Sequence, residues 1–247
     1  MRKMTVMLAL LLTCGLEQVN AAELRVITVG MVGNGFRQLV AAWSKETGHT
    51  VVLPIGPSAV GLVLDAMKVH QIDAVLLPMT EMPAQAAQFR SGTVHPIGRV
   101  LFGLAGKSDG PSPRIASEAE FRAALAGKTV LINDPVASLN GRMAQAALAG
   151  PGYESVTVRL SPSSAANLPK SDADYVLTVL PEELTVPNLK LLGEAPAALG
   201  LRIDFGGGVL LKAANPGLAQ QFLDYLVSAQ AQAIWKAGGV TVPVPAN

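Results

Sequence analysis

The sequence predicts an α/β protein with mostly parallel sheets flanked by helices. Short apolar runs alternate with helical patterns along most of the 247 residues. Half of the residues are hydrophobic, which is enough to build a large core, and we find no internal repeat or low-complexity tract. Regular alternation of strands and helices is typical of parallel sheets with helices packed on both faces.

Four short apolar runs predict strands that are buried on both faces, as strands of parallel sheets are. They are Leu24–Val29, Val51–Leu53, Ala74–Leu77 and Thr129–Ile132.

Helical periodicity is clearest after the first strand. Phe36, Leu39, Val40 and Trp43 lie at positions i, i+3, i+4 and i+7, and Gly48 follows as a helix stop. Further helices are predicted over Ala59–Met67, Met143–Leu148, Leu218–Leu226, and from Ser228 to Gly238.

The first 21 residues predict a secretory signal peptide. Arg2 and Lys3 precede an apolar run, and Val19-Asn20-Ala21 is a small-residue cleavage site. The apolar run is shorter than the roughly 20 residues that span a bilayer. Thr13 is larger than the residue that usually precedes a lipidated cysteine, so we expect release into the periplasm rather than lipid anchoring at Cys14.

Composition narrows the function classes. Cys14 is the only cysteine, so the mature chain has neither a disulfide nor a thiolate metal site. The signal segment holds two of the 19 basic and one of the 18 acidic residues, which leaves 17 of each. A chain without a basic surplus gives little support to nucleic-acid binding, and we predict a monomer that binds neither a metal nor a cofactor.

The stretch "VITVGMVGNGF", residues 26–36, has the pattern of a strand that turns into a helix. Its glycines, at 30, 33 and 35, do not follow the dinucleotide pattern G-x-G-x-x-G, and the second strand lacks the acidic residue that binds the ribose. Two interpretations stay open. Either the turn presents N–H groups to an anion, or Asn34 merely caps the helix.

Two other strand-to-helix junctions resemble this one. Gly56-Pro57-Ser58 precedes the second helix, and residues 133–141 ("NDPVASLNG") precede a later one. Ligands of open α/β sheets bind at the carboxyl ends of the strands, so the three junctions could converge on one anion, although each could equally be an ordinary helix cap.

Other polar residues are assigned structural roles. Glu182 and Glu183 follow Pro181, which places them in a first helical turn. Arg142 is expected to be solvated, and the three histidines are too scattered to form a metal site. Met79 and Met82 are candidates for lining the same cleft as Met31.

Three segments carry a resemblance to a known family: "FRQLVAAWSKETG" (36–48), "DPVASLNGRMAQAAL" (134–148) and "NPGLAQQFLDYLVSAQAQAIWKAGG" (215–239). Over residues 24–238 the chain resembles the periplasmic molybdate-binding proteins of ABC importers, which have the type II periplasmic solute-binding fold. The third segment is similar to many solute-binding proteins and supports the fold more than the ligand.

The resemblance implies two lobes, residues 22–103 plus 205–247 and residues 104–204. Two hinge crossovers are then expected near Phe102–Ala105 and Arg202–Gly208, where Gly206–Gly208 could absorb a hinge rotation.

The family binds its oxyanion through backbone N–H groups and a few hydroxyls, and the resemblance places these at five positions. Ser58 keeps a hydroxyl, whereas Met31 replaces the usual serine. Asn140 and Ala166 supply backbone N–H groups, and Thr178 replaces the usual tyrosine. None of these five residues titrates near neutral pH.

The function that follows is an extracytoplasmic receptor that captures a small oxyanion (molybdate, tungstate or a relative) and delivers it to an inner-membrane ABC permease. Two alternatives stay open: a receptor for a small organic anion, and a dehydratase-like enzyme on the same fold. The enzyme needs a general acid or base in the cleft, which the five positions do not provide.

Overall fold

The computed structural model describes residues 21–56 and 59–242. The predicted signal peptide up to Asn20, including Cys14, lies outside the described residues, and so does Ser58. None of the helices in the described part of the chain has the length and apolar character of a membrane-spanning helix.

The described residues form ten strands in one sheet. Their bounds are Glu23–Thr28 (β1), Thr50–Val52 (β2), Ala74–Pro78 (β3), His95–Lys107 (β4), Thr129–Asn133 (β5), Thr157–Ser161 (β6), Tyr175–Val179 (β7), Leu189–Glu194 (β8), Arg202–Val209 (β9) and Val240–Thr241 (β10). The helices that flank the sheet are Gly33–Thr47 (α1), Val60–Val69 (α2), Glu118–Leu125 (α3), Leu139–Leu148 (α4), Ser164–Asn167 (α5), Leu180–Glu183 (α6), Pro216–Leu226 (α7) and Ala229–Ala237 (α8).

The strand order is β2-β1-β3-β9-β4-β7-β5-β6, with β8 and β10 paired to β4. The predicted α/β fold is confirmed, and the outer strands pair in parallel, as β1 does with β2 and β3. The central pairs are antiparallel: β9 runs against β3 and β4, and β4 runs against β7. Local alternation of strand and helix specifies parallel neighbours only where a crossover connects them, so it carries no information about these non-local pairs.

Strands β4 and β9 hold the middle of the sheet. The first part of β4 pairs with β9, and its second part, from Phe102 to Lys107, pairs with β7 and β8. The predicted crossovers fall inside these two strands.

Close packing against neighbouring elements explains why β9 contains glycines. Gly206 and Gly207 pair with β3 on one side and with β4 on the other. A Cβ on Gly207 would lie 2.7 Å from Leu223 Cδ2 and 2.8 Å from Ile97 Cδ1. A Cβ on Gly206 would lie 2.6 Å from the carbonyl oxygen of His95, a backbone atom of β4, so this position requires glycine.

As predicted, a turn connects strand β1 to helix α1, and it is a short 3-10 turn at Gly30–Val32. In α1 the periodic residues Phe36, Leu39 and Trp43 are buried, and Gly48 ends the helix in the left-handed conformation with φ 75°. The alternative interpretation, in which Asn34 caps α1, is wrong: Val32 is the N-cap, no side chain of the described residues caps the helix, and Asn34 is exposed.

Candidate functional site

Residues that belong to, or directly follow, the three predicted junctions line one cavity of about 230 Å³, which we call cavity 1. Residues 29–31 come from the turn after β1, Ala59 and Val60 from the start of α2, and residues 137–140 from the start of α4. The first and third junctions thus share one cavity with the start of α2, while Pro57 and Ser58 of the second junction lie outside the described residues. The other lining residues are Pro78, Asn133, Pro162, Glu182 and Ile203.

The N-terminus of α4 forms one wall of cavity 1. Ser138 is the N-cap, and its hydroxyl accepts the N–H of Gly141 at 3.2 Å. The backbone N–H groups of Leu139 and Asn140 belong to the first helical turn and have no partner within the helix. They give this wall of the cavity a partial positive charge.

A hydrogen-bonded cluster centred on Glu182 adjoins this wall of cavity 1, and we call it the Glu182 network. Oε2 of Glu182 accepts from Asn133 Nδ2 at 2.9 Å and from Thr178 Oγ1 at 2.8 Å. Its Oε1 accepts from Asn140 Nδ2 at 3.0 Å. The same Asn140 amide also donates to Thr178 Oγ1 at 3.0 Å, so both of its hydrogens are used inside the protein.

Two hydrogen bonds from Ser164 orient the side chain of Asn133. Its Oδ1 accepts the backbone N–H of Ser164 at 2.9 Å and the Ser164 hydroxyl at 2.6 Å. With the oxygen fixed in this way, the amide nitrogen has to face Glu182. The network thus joins the ends of β5 and β7 to the starts of α4, α5 and α6.

The five predicted binding residues do not all line cavity 1. Met31 and Asn140 line cavity 1 and are only 7% and 8% exposed. Ala166 lines an adjoining cavity instead. Thr178 is buried beneath the cavity and contacts Asn140 and Glu182. Ser58 lies outside the described residues.

The adjoining cavity, cavity 2, has a volume of about 210 Å³. It shares Asn133, Pro162 and Glu182 with cavity 1, so Glu182 stands where the two cavities meet. Together they leave room for a ligand that is longer than a tetrahedral oxyanion.

The positions of Arg142, Met79 and Met82 can be compared with the expectations from the sequence. Arg142 is exposed, as predicted, and its guanidinium donates to the Pro135 carbonyl at 3.4 Å. Met79 and Met82 do not line cavity 1; they border a separate pocket beside Phe89. Among the described residues no group of histidine, cysteine or acidic side chains could hold a metal ion.

Glu182 is the cavity residue that the sequence interpretation missed. It does lie in the first turn of a helix, α6, as predicted. It was not assigned to the cleft, yet its carboxylate lines both cavities. The signal was present: "YVLTVLPEE" (175–183) is a fourth strand-to-helix junction, and the rule that selected the other three applies to it.

Glu183, the next residue, points into the core. It is 3% exposed, and neither carboxyl oxygen has a hydrogen bond within the described structure. Burial raises the pKa of Glu183 well above its usual value, and the negative charge of Glu182 raises it further. Glu183 is therefore protonated in the folded protein under conditions where it would be ionised in the unfolded chain.

This raised pKa predicts a stability that falls as pH rises. The folded state binds the Glu183 proton more tightly, so stability is lost between the unfolded value of 4.5 and the higher folded pKa. Glu183→Gln removes the titration and should raise the Tm by about 3 °C or more at pH 7.5, but not at pH 4. For Glu183→Met we likewise expect the Tm, relative to the wild type, to be higher at pH 7.5 than at pH 4. Thermal unfolding of the three proteins measures this, and an equal Tm difference at both pH values would contradict it.

Sequence and structure comparisons place the chain among known proteins. Residues 24–241 match the family model described as bacterial extracellular solute-binding protein. The chain belongs to this family. No curated protein sequence matches it.

Solved structures of periplasmic binding proteins share the fold of this solute-binding protein. The Azotobacter vinelandii periplasmic molybdate-binding protein matches with a TM-score of 0.72 at 17% identity, over 90% of this chain and 100% of that one. A sulfate-binding protein from Mycobacterium tuberculosis matches at 0.67 and 13%, over 91% and 88%. A periplasmic thiamin-binding protein matches at 0.63 and 17%, over 91% and 85%. At these identities the likeness shows the fold and leaves the ligand open.

Proposed function

We propose that this solute-binding protein is the extracytoplasmic receptor of an ABC importer, and that it captures a small anion in cavity 1 for an inner-membrane permease. One observation carries the proposal: the starts of helices α2 and α4 and the turn between β1 and α1, from distant parts of the chain, line a single cavity. Helix N-termini offer unpaired N–H groups and a partial positive charge, which together bind anions. No lysine or arginine is found among the residues lining cavities 1 and 2.

The receptor binds by closure of two lobes. The lobes are residues 22–103 plus 205–247 and residues 104–204, and β4 and β9 link them. In support, the lining of cavity 1 comes from residues 29–78 on one side and residues 133–182 on the other. The proposed anion ligands are the backbone N–H groups of Met31 and Asn140, with the Ser58 hydroxyl as a further donor and Ala166 and Thr178 at the far end of the cleft.

Two ligand classes fit such a receptor. Molybdate or tungstate is the candidate that the resemblance supplies, and the similar fold of a molybdate-binding protein is consistent with it. A small organic anion is favoured by the apolar side chains around cavity 1, including Met31, Leu139 and Ile203. The adjoining cavity 2 adds space that an inorganic oxyanion does not need.

An enzyme on this fold is the alternative class. Glu182 would be its general base, but three neutral donors hold this carboxylate and no histidine lines either cavity. Incubation with prephenate or arogenate is expected to give no turnover; product formation that depends on Glu182 would replace the receptor proposal with an enzyme.

A thermal-shift screen tests the receptor function. A ligand that binds only the folded state raises the Tm, by an amount that grows with the ratio of ligand concentration to Kd. At a hundredfold excess over Kd the gain is about 2.7 kcal/mol, or roughly 5–10 °C for a chain of this size. We expect at least one anion among molybdate, sulfate, phosphate and short carboxylates to reach this shift, and neutral sugars to give none. A sugar that stabilises the protein when no anion does would refute anion binding.

A further inference from the structure

The Glu182 network changes what kind of anion the site accepts. In a site built for a bare oxyanion, the side-chain donors of the cavity are free to bind the ligand. Here Asn140, Thr178 and Asn133 donate to the protein's own carboxylate instead. Glu182 therefore occupies the place of one negatively charged ligand group.

Among the hydrogen bonds of the described residues, the network leaves a single acceptor position of Glu182 open. A carboxylate offers about four lone-pair sites, two on each oxygen. Oε2 of Glu182 uses two for Asn133 and Thr178, whereas Oε1 uses one, for Asn140. The remaining site on Oε1 belongs to a residue that lines both cavities, and a ligand donor is what would fill it.

No cation within the described structure neutralises this carboxylate. Glu182 forms no ion pair with a described lysine, arginine or histidine, and neither cavity is lined by one. An oxyanion without a proton would thus meet a like charge in a small cavity, where the repulsion is poorly screened. A ligand with its own donor turns the same contact into a charge-assisted hydrogen bond.

We propose that the ligand is an anion that carries its own hydrogen-bond donor, a hydroxyl or an ammonium group, and that Glu182 accepts from that donor. The anionic group lies at the N-termini of α2 and α4 and at the turn before α1, and the donor points to Oε1 of Glu182. This inference rests on the proposed receptor function and narrows it, because it selects against fully deprotonated oxyanions such as sulfate and molybdate.

Matched pairs of probe anions test the inference by titration calorimetry at pH 7. Phosphate, which retains a proton, is compared with sulfate and molybdate, which have none; lactate and β-alanine are compared with propionate. We expect the donor-bearing member of at least one pair to bind the wild-type protein ten or more times more tightly. A site built to pair with a donor discriminates strongly against an analogue that lacks it.

Substitution of Glu182 tests whether this residue accepts the hydrogen bond from the ligand's donor group. Glu182→Gln should reduce the preference to less than threefold, by weakening the donor-bearing anion, by admitting the donor-free one, or by both. Glu46→Gln is the matched control, since Glu46 is exposed near the end of α1 and lines neither cavity; it should keep the wild-type preference. Circular dichroism establishes that each variant is folded, and the wild-type ratios stand even if Glu182→Gln is not.

The outcomes separate the inference from the receptor proposal. Equal binding of both members of every pair, or a preference that Glu182→Gln retains, overturns the role of Glu182 and leaves anion capture intact. Binding of none of the probe anions overturns anion capture, and the inference with it.

Discussion

Gly141→Ala is expected to destabilise the protein by about 3 kcal/mol, because a methyl group has no room there. A Cβ on Gly141 would overlap the carbonyl oxygen of Asn133 and lie 2.8 Å and 2.9 Å from the carbonyl carbons of Asn133 and Asp134. These are backbone atoms at the end of β5, so the first turn of α4 has to move away by about 1 Å to restore ordinary contact.

The same displacement acts on the site. Moving α4 shifts the N–H groups of Leu139 and Asn140 and pulls Asn140 away from Glu182. We expect the Tm without ligand to fall by roughly 6–12 °C. The affinity for the anion that the thermal-shift screen identifies should fall at least about tenfold, as the loss of a hydrogen bond to a charged group predicts.

Gly61→Ala is the matched control for this prediction. Gly61 is also a glycine near the start of a helix, α2, but an added Cβ would meet nothing within 4 Å. Alanine is the better helix former, so this variant should be as stable as the wild type or up to about 1 kcal/mol more stable. A Gly141→Ala protein that melts with the wild type would show that α4 is not held against β5 as described.

Much of the fold could be predicted because its signals are local. The buried stripe of α1 is fixed by the spacing of Phe36, Leu39 and Trp43, and its end by the left-handed Gly48. The start of α8 was correctly assigned to Ser228, whose hydroxyl accepts the N–H of Ala231. Such elements depend on period and on capping chemistry within a few residues.

Some local signals in the sequence indicate elements that our sequence interpretation does not include. Helix α3 was not predicted, although Ser117 and Glu120 form a complete capping box in front of it. The central pairing of β4 and β9 is a different case. Residues 95–101 meet residues 202–207 across a long stretch of chain, so no local pattern specifies them.

The candidate site likewise combines features that local sequence signals predict with features that depend on tertiary structure. The junction rule found the starts of α1, α2 and α4, because each follows an apolar strand. The Glu182 network joins residues up to 49 positions apart in the chain, and its geometry exists only after β5 and β7 pair. The sequence contains Asn133, Asn140, Thr178 and Glu182, but which donor meets which oxygen is decided by tertiary structure.

Asp73 is another non-local feature, and its removal should have the largest effect on stability. Its carboxylate is 1% exposed and accepts three backbone N–H groups: Arg25 at 2.8 Å, Ala214 at 2.7 Å and Asn215 at 3.2 Å. It thereby ties β1 and β3 to the loop that precedes α7. Asp73→Ala leaves these buried donors without a partner, at an expected cost of about 3–5 kcal/mol in the free energy of unfolding.

Asp73→Asn tests whether the acceptor capacity of Asp73 is responsible. The amide has almost the same shape, but it turns one acceptor oxygen into a donor that faces a backbone N–H, so it should recover only part of the loss. Asp65→Ala is the control: Asp65 is exposed and pairs with Lys68 on the surface, and its loss should cost less than about 1 kcal/mol. Urea unfolding of the four proteins gives the ranking. If Asp73→Ala is no more destabilising than Asp65→Ala, the three backbone groups find other partners, and Asp73 does not join α7 to the sheet.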